Sequence, residues 1–403
     1  MSAAQGGPAA FASNVRKLYA IRYCFWLHTV SAVLVPFFRD WGGVPLAGIL
    51  LLNAWFMAWN FVLEVPTGSV ADRFGRKTSL QLGAALGVAG TLVYVSAPRF
   101  EVFLLGEILF ALSYTLNSGA DEALLYDSLD PREAAERAPR AFARLESCKL
   151  AGIVTGALVG SVLATELGLR ATLAFQALPM AAGCAIALTL REPPRHEAAG
   201  PRLGYRATLR EGLRHFSSHP ALRLLAFDAV SIGALAFLVL WLYQPLLEAA
   251  GIGLAAFGRV HVALSLGQIV VLAGLGRLAL VFGSRRALLR GFAAIAGASL
   301  VALGFARSPF AVVALVVLAA SFGLARTPVL TSAMNLHIPS AQRATVLSVV
   351  SGLRTLGIVL ANGAASLAVG RSLHGTVLAL GAGILLLAAL SPVREEHLRE
   401  ASG

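Results

Sequence analysis

Twelve continuous apolar runs, separated by short polar segments, dominate the chain. Their limits are approximately 19–38, 45–66, 79–97, 101–126, 147–165, 171–190, 222–245, 254–276, 287–306, 309–335, 344–366 and 374–392. Crossing the hydrocarbon core takes about 20 apolar residues as a helix, and each run fits that length. Ten-residue alternation, the pattern of a membrane strand, is absent. The predicted fold class is an all-α membrane protein with twelve transmembrane helices. Met1–Asn14 is small and polar and lacks a charged region followed by a short apolar core, so it is not read as a signal peptide.

The longest polar stretch, Arg191–His219, splits the runs six and six. It predicts an N-terminal six-helix bundle over 1–190, a cytoplasmic central loop over 191–221 and a C-terminal six-helix bundle over 222–403. The loop holds Pro193, Pro194 and Pro201, then a basic amphipathic piece, Tyr205–Phe216. Arg206, Arg210 and Arg214 recur every four residues there, with Leu209, Leu213 and Phe216 nearby. That is the pattern of a helix lying on the anionic inner leaflet. A plain solvated linker is the alternative.

Composition agrees with the bilayer as solvent. The 403 residues are 57% hydrophobic and 13% charged, where an ordinary soluble domain is about 25% charged. This excludes a soluble globular enzyme, a disordered chain and a disulfide scaffold. The formal charge of +12 does not point to nucleic acid, because the basic residues fall in short loops between apolar runs. Of the 33, 24 lie in the set of loops that includes both termini and five in the opposite set (Arg39, Arg99, Arg170, Arg307 and Arg371). The asymmetry predicts an inner-membrane protein with both termini cytoplasmic. Cys24, Cys148 and Cys184 are widely spaced, without metal-ligand spacing, and are read as small hydrophobes in helix packing.

A repeat links the halves. Gly68-Ser69-Val70-Ala71-Asp72-Arg73-Phe74-Gly75-Arg76-Lys77 follows span 2. At an offset of 208 stands Gly276-Arg277-Leu278-Ala279-Leu280-Val281-Phe282-Gly283-Ser284-Arg285, after span 8, and the same offset carries Pro131 onto Pro339. Both halves have the same orientation, so the repeat is parallel, about a pseudo-twofold axis along the membrane normal. Glycines at 68 and 75 suit a tight loop. Asp72 suits a helix N-terminus, and Arg76 and Lys77 suit a carboxylate, for which Asp127 is the obvious partner, or lipid phosphate.

In Gly68, Asp72, Arg73, Gly75, Arg76 and Lys77, at this topological position, the sequence resembles the major facilitator superfamily. The resemblance covers nearly the whole chain. It implies two six-helix bundles that rock to move a substrate, and a conformational latch in the loop after span 2, with Asp127 and possible reach across from Arg354. Leu280 and Asn335 replace Asp72 and Asp127 in the second copy, so a C-terminal latch is expected to be weak or absent. Departures exist. Glu107 stands in span 4 where many drug exporters carry arginine. Gly152, Gly156 and Gly160 in span 5 lack the Gly-Pro pair of the drug antiporters, and their close packing is expected against span 8. The resemblance is to a less-studied bacterial branch.

Ionisable residues within spans are costly and mark pathways or proton sites. Glu107, Tyr114, Ser118 and Asp121 fall within about 40° of one stripe of a continuous span-4 helix. The stripe faces a water-filled cavity or, alternatively, a structural polar network. Glu107, Asp121 and Glu122 are the proton-coupling candidates, Glu107 the deepest; solvated lip residues are the alternative for the other two. Arg22, Trp26, Tyr114, Ser118 and Arg326 are the substrate-cavity candidates, with packing the alternative for the tryptophan.

The function expected is proton-coupled export of a small, largely apolar organic molecule. The alternative is uptake of a small organic anion through Arg22 or Arg326. No phosphate-binding loop appears, so the proton gradient is the energy source and no cofactor or metal is expected. A membrane-embedded enzyme would need a nucleophile–base pair or metal cluster at depth, and His28 and His261 look isolated. A sensor would need an added soluble domain. The expected partners are the substrate, protons and membrane lipids, without nucleic acid, and the chain is expected to act as a monomer.

Overall fold

The structure, a computed structural model, describes residues 11–130, 133–193, 205–339 and 342–398. Pro131, Pro194, Pro201 and most of the N-terminal stretch lie outside these, as do the side chains of Arg206 and Leu209. Among the described residues there are twelve helical spans and no strand. Spans 1–6 are Ala12–Trp41, Leu46–Phe74, Arg76–Ser96, Phe100–Asp127, Glu136–Glu166 and Leu169–Leu188. Spans 7–12 are Pro220–Ala249, Leu254–Ala273, Arg285–Leu303, Pro309–Leu336, Thr345–Val369 and Leu373–Leu390.

Packing divides the chain into two units. The first holds spans 1 and 3–6, span 2 from Trp55 onward, and Leu254–Arg259 of span 8. The second holds Pro45–Ala54, the remainder of span 8, and spans 7 and 9–12. In the first unit span 3 packs on spans 4 and 6, and span 1 on span 5; in the second, span 9 packs on spans 10 and 12, and span 7 on span 11. The neighbour pattern thus repeats with the sequence.

Three elements differ from the sequence reading. Span 1 is not continuous: helix Ala12–Trp26 stops, and helical structure resumes at Ser31. A break in apolar surroundings must have its backbone groups satisfied by protein. Gln176 of span 6 accepts from Thr29 N at 2.6 Å, and Thr29 Oγ1 donates to Thr172 O at 2.8 Å. Against this break lie the span-5 glycines, not against span 8 as expected. A methyl on Gly152 would stand 2.7 Å from Tyr23 O, on Gly156 2.7 Å from His28 N, and on Gly160 1.6 Å from Thr29 O. Span 8 meets span 5 elsewhere, through Gly258 against Ala157 and Ser161.

Span 4 is broken as well. Helix Phe100–Asn117 ends, Gly119 turns left-handed at φ 73°, and a new helix runs Ala120–Asp127. Span 5, by contrast, extends further than its apolar run, as a single helix Ala134–Glu166. At 33 residues it is about 50 Å long, well beyond the ~30 Å hydrocarbon core. Its first turns carry the polar residues expected in a loop.

The basic piece after the prolines is a helix, Tyr205–Ser218. It docks on the second unit through Gly212, where an added methyl would lie 2.4 Å from Thr345 Cγ2, and through Phe216, packed on the core around Leu222 and Val346. Arg210, Leu213 and Arg214 remain exposed on it.

Candidate functional site

The break in span 4 builds the site. Asp121 and Glu122 sit in the first turn of the short helix that follows it, where the helix dipole favours negative charge. Arg22, in the last turns of the first helix of span 1, meets them. Its Nη1 donates to Asp121 Oδ2 at 2.7 Å and its Nη2 to Glu122 Oε1 at 3.0 Å, with Glu146 Oε2 at 3.8 Å. Asp121 is 5% exposed. Lys149, one turn beyond Glu146 on span 5, donates to its Oε1 at 2.8 Å. The Lys149 ammonium stands 4.9 Å over the Trp26 ring. His28, isolated in the sequence, stacks on Trp26 at 5.8 Å, and Tyr114 meets the same ring edge-on at 6.3 Å. All of these groups except His28, which backs the Trp26 ring, line a cavity of about 190 Å³ inside the first unit.

Six predicted residues therefore meet: Arg22, Trp26, Tyr114, Ser118, Asp121 and Glu122 all line the cavity. Glu146, Lys149 and Phe25 also line it and were not predicted. The i, i+3 spacing of Glu146 and Lys149, with Gly152 three further on, would have placed them on one face had 134–146 been read as helix rather than loop.

Glu107 does not belong to this cavity. The stripe that joined it to Asp121 assumed an unbroken helix, and the turn at Ser118–Gly119 resets the register. Glu107 is 7% exposed and its polar neighbour is Tyr94 of span 3. Arg326 does not line this cavity either. It is ion-paired with Asp228, its Nε donates to Leu289 O at 3.1 Å, and Asp228 also accepts from Ser391 Oγ at 2.7 Å. Both side chains of the pair are 4% exposed, and the adjoining cavity of about 10 Å³ is too small for an organic ligand.

The two buried pairs correspond between the halves with their charges exchanged. Arg22 on span 1 pairs with Asp121 on span 4; Asp228 on span 7 pairs with Arg326 on span 10. The offsets, 206 and 205 residues, are close to the 208 of the loop repeat. The first-unit pair opens onto a cavity of about 190 Å³, and the second-unit pair adjoins one of about 10 Å³.

The signature residues are arranged differently from a loop. Gly68, Asp72 and Arg73 belong to the helical part of span 2, which continues to Phe74. Gly75 alone makes the turn, at φ 98°, a conformation that favours glycine. Asp72 is exposed in the last turn of that helix, not at a helix N-terminus. The carboxylate at the N-terminus of span 3 is Glu192, which accepts from Arg76 N at 2.9 Å and Lys77 N at 2.7 Å. Arg76 is ion-paired with Asp127. Arg354 makes no hydrogen bond or ion pair among the described residues.

The second half repeats the cap. Gly283 turns at φ 73° before span 9, and Glu395 accepts from Arg285 N at 3.2 Å and Arg286 N at 2.8 Å. An acid directly after span 6 and another after span 12, each in a basic loop, was the unused sequence signal. Losing a cap costs about 0.5–2 kcal/mol, so Glu192→Ala and Glu395→Ala should each lower the thermal unfolding midpoint by about 2–5 °C. An unchanged midpoint in either variant would show that solvent caps that helix equally well.

Twelve spans with a buried, charged cavity define a multi-pass membrane transporter. Residues 19–362 match the family model of the Major Facilitator Superfamily, and the chain belongs to that family. The fold is shared with solved transporters. The nucleoside transporter NupG superposes with a TM-score of 0.77 at 15% identity, covering 94% of this chain and 97% of that one. A POT family transporter in complex with 5-aminolevulinic acid gives 0.72 at 15%, covering 98% of each chain. A bacterial homolog of the human lysosomal transporter Spinster gives 0.70 at 16%, covering 97% and 96%. The protein is a secondary transporter of this superfamily.

Proposed function

We propose that the chain exports a small organic molecule with a largely apolar body in exchange for protons, and that the Arg22–Asp121 cavity is the shared substrate and proton site. The observation that carries this reading is a buried ion pair opening onto an aromatic-walled cavity. Asp121 is ion-paired with Arg22. Removing one partner of a buried pair costs up to about 3–5 kcal/mol, and less here because Arg22 keeps Glu122 and Glu146 as partners. Protonating Asp121 has the same sense: it releases Arg22 and biases the protein between its two conformational states. Uptake of an organic anion has less support, because Arg326 is engaged by Asp228 and Arg22 is shared among acids. Arginine and lysine placement supports an inner-membrane location with cytoplasmic termini.

A substrate screen in proteoliposomes with an imposed pH gradient tests the reading. Asp121→Asn should cut gradient-driven accumulation at least roughly 100-fold, the size of losing a few kcal/mol of coupling. Glu107→Gln should stay within about twofold of the parent protein. Full accumulation by Asp121→Asn would sink the assignment of the proton site.

A further inference from the structure

We propose that the cavity binds an organic monocation, an ammonium carried on an aromatic or apolar body, and that Lys149 occupies its place in the ligand-free molecule. The proposal rests on the cavity being the transport site. Its first support is charge. The titratable and charged groups around the cavity are Arg22 from span 1, Tyr114, Asp121 and Glu122 from span 4, and Glu146 and Lys149 from span 5. Three carboxylates against two cations leave one negative charge uncompensated. One monovalent cation makes the cavity neutral. A neutral ligand leaves the excess in place, and an anion doubles it.

The second support is an ammonium already seated there. Lys149 Nζ lies 4.9 Å over the Trp26 ring while bonded to Glu146. The face of an indole is the best cation platform among side chains. His28 and Tyr114 pack on the same ring, so the platform is held in position. A ligand ammonium takes that face by moving Lys149 aside. Its flexible four-carbon stem permits the move, and Glu146 keeps the lysine charge paired. Trp26 Nε1 is buried with no hydrogen-bond partner, and an ether, hydroxyl or carbonyl oxygen on the ligand body would accept from it.

The charge balance also sets the exchange. One proton on the three acids neutralises the cavity as one monocation does, so the two compete. Cation binding to the protonated cavity releases that proton, and cation arrival on one side with proton arrival on the other is an electroneutral one-for-one exchange. The acid–base step is proton transfer between a carboxylate and water, with no other bond made or broken.

The test uses the purified full chain and three probes that share a benzyl group: benzyltrimethylammonium, its neutral isostere neopentylbenzene, and phenylacetate. Binding is read by calorimetry and by proton release in weakly buffered solution. The cation should bind at least about tenfold more tightly than either other probe and release close to one proton. Lys149→Gln, which removes the resident ammonium, should tighten cation binding by about tenfold. Trp26→Leu should abolish it, and Trp26→Phe should retain part of it. Tighter binding of phenylacetate or neopentylbenzene, or weaker cation binding in a folded Lys149→Gln protein, overturns the proposal. Cation binding with proton release but no gradient-driven accumulation would leave this inference standing and sink the export reading. Gradient-driven, Asp121-dependent transport of an anion would do the reverse.

Discussion

Replacing Gly160 by alanine is expected to be among the most damaging single-methyl changes available in the first unit. The added carbon would stand 1.6 Å from Thr29 O and 2.6 Å from Thr29 C. Both are backbone atoms, so no side-chain rotation relieves the overlap; span 5 must move away from the break in span 1. Overpacking a close contact costs about 1–3 kcal/mol and occasionally more. Here the upper end applies, because separation also pulls Thr29 from Gln176 and Thr172. A loss of about 3 kcal/mol corresponds to a fall of roughly 5–10 °C in the unfolding midpoint. Cys24, Cys148 and Cys184 are free and partly buried, so a thiol-reactive dye reports unfolding directly. Gly363, whose added methyl would meet nothing within 4 Å, is the control. Gly363→Ala should be neutral or stabilising by up to about 1 kcal/mol. Equal midpoints for Gly160→Ala and the parent protein would disprove the close approach of spans 1 and 5.

The charge-exchanged pairs give the second large effect. Asp228→Leu or Arg326→Met alone should cost about 3–5 kcal/mol, because each leaves a buried charge unpaired. The double variant Asp228→Leu/Arg326→Met should recover most of that loss and keep transport. Recovery stays incomplete, since Ser391 and Leu289 O lose their partners. At the first-unit pair, Arg22→Met/Asp121→Leu should likewise recover stability but abolish transport, because the cavity loses its charges. Thermal midpoints and proteoliposome transport, measured on both double variants and their four single-site parents, separate the two roles. Loss of transport in the Asp228→Leu/Arg326→Met protein would show that this pair, too, takes part in the transport cycle.

Much of the architecture was legible because a bilayer imposes long-range order on a sequence. Apolar length marked the spans. The repeat at 208 residues located Gly75 and Gly283, both of which adopt the left-handed turn. Span limits failed where the apolar run was a poor guide to hydrogen bonding. Residues 134–146 are polar yet helical, since a helix can run past the membrane into water. The breaks after Trp26 and Asn117 left little trace in hydropathy, because their backbone groups are satisfied by neighbouring elements or by local turns.

The candidate site divides along the same line. By itself the sequence determined that charges lie within apolar spans, and that Arg22, Trp26, Tyr114, Ser118, Asp121 and Glu122 merited attention, since burying charge is costly and its presence is therefore informative. Only the tertiary structure decided which of those charges face one another. It set Arg22 against Asp121, spent Arg326 on Asp228, turned Glu107 toward Tyr94 and brought Lys149 over Trp26. Each outcome depends on a rotation about a helix axis or a single left-handed glycine such as Gly119. A change of 100° per residue redirects a side chain entirely, and that angle is fixed by packing against helices that lie distant in the chain.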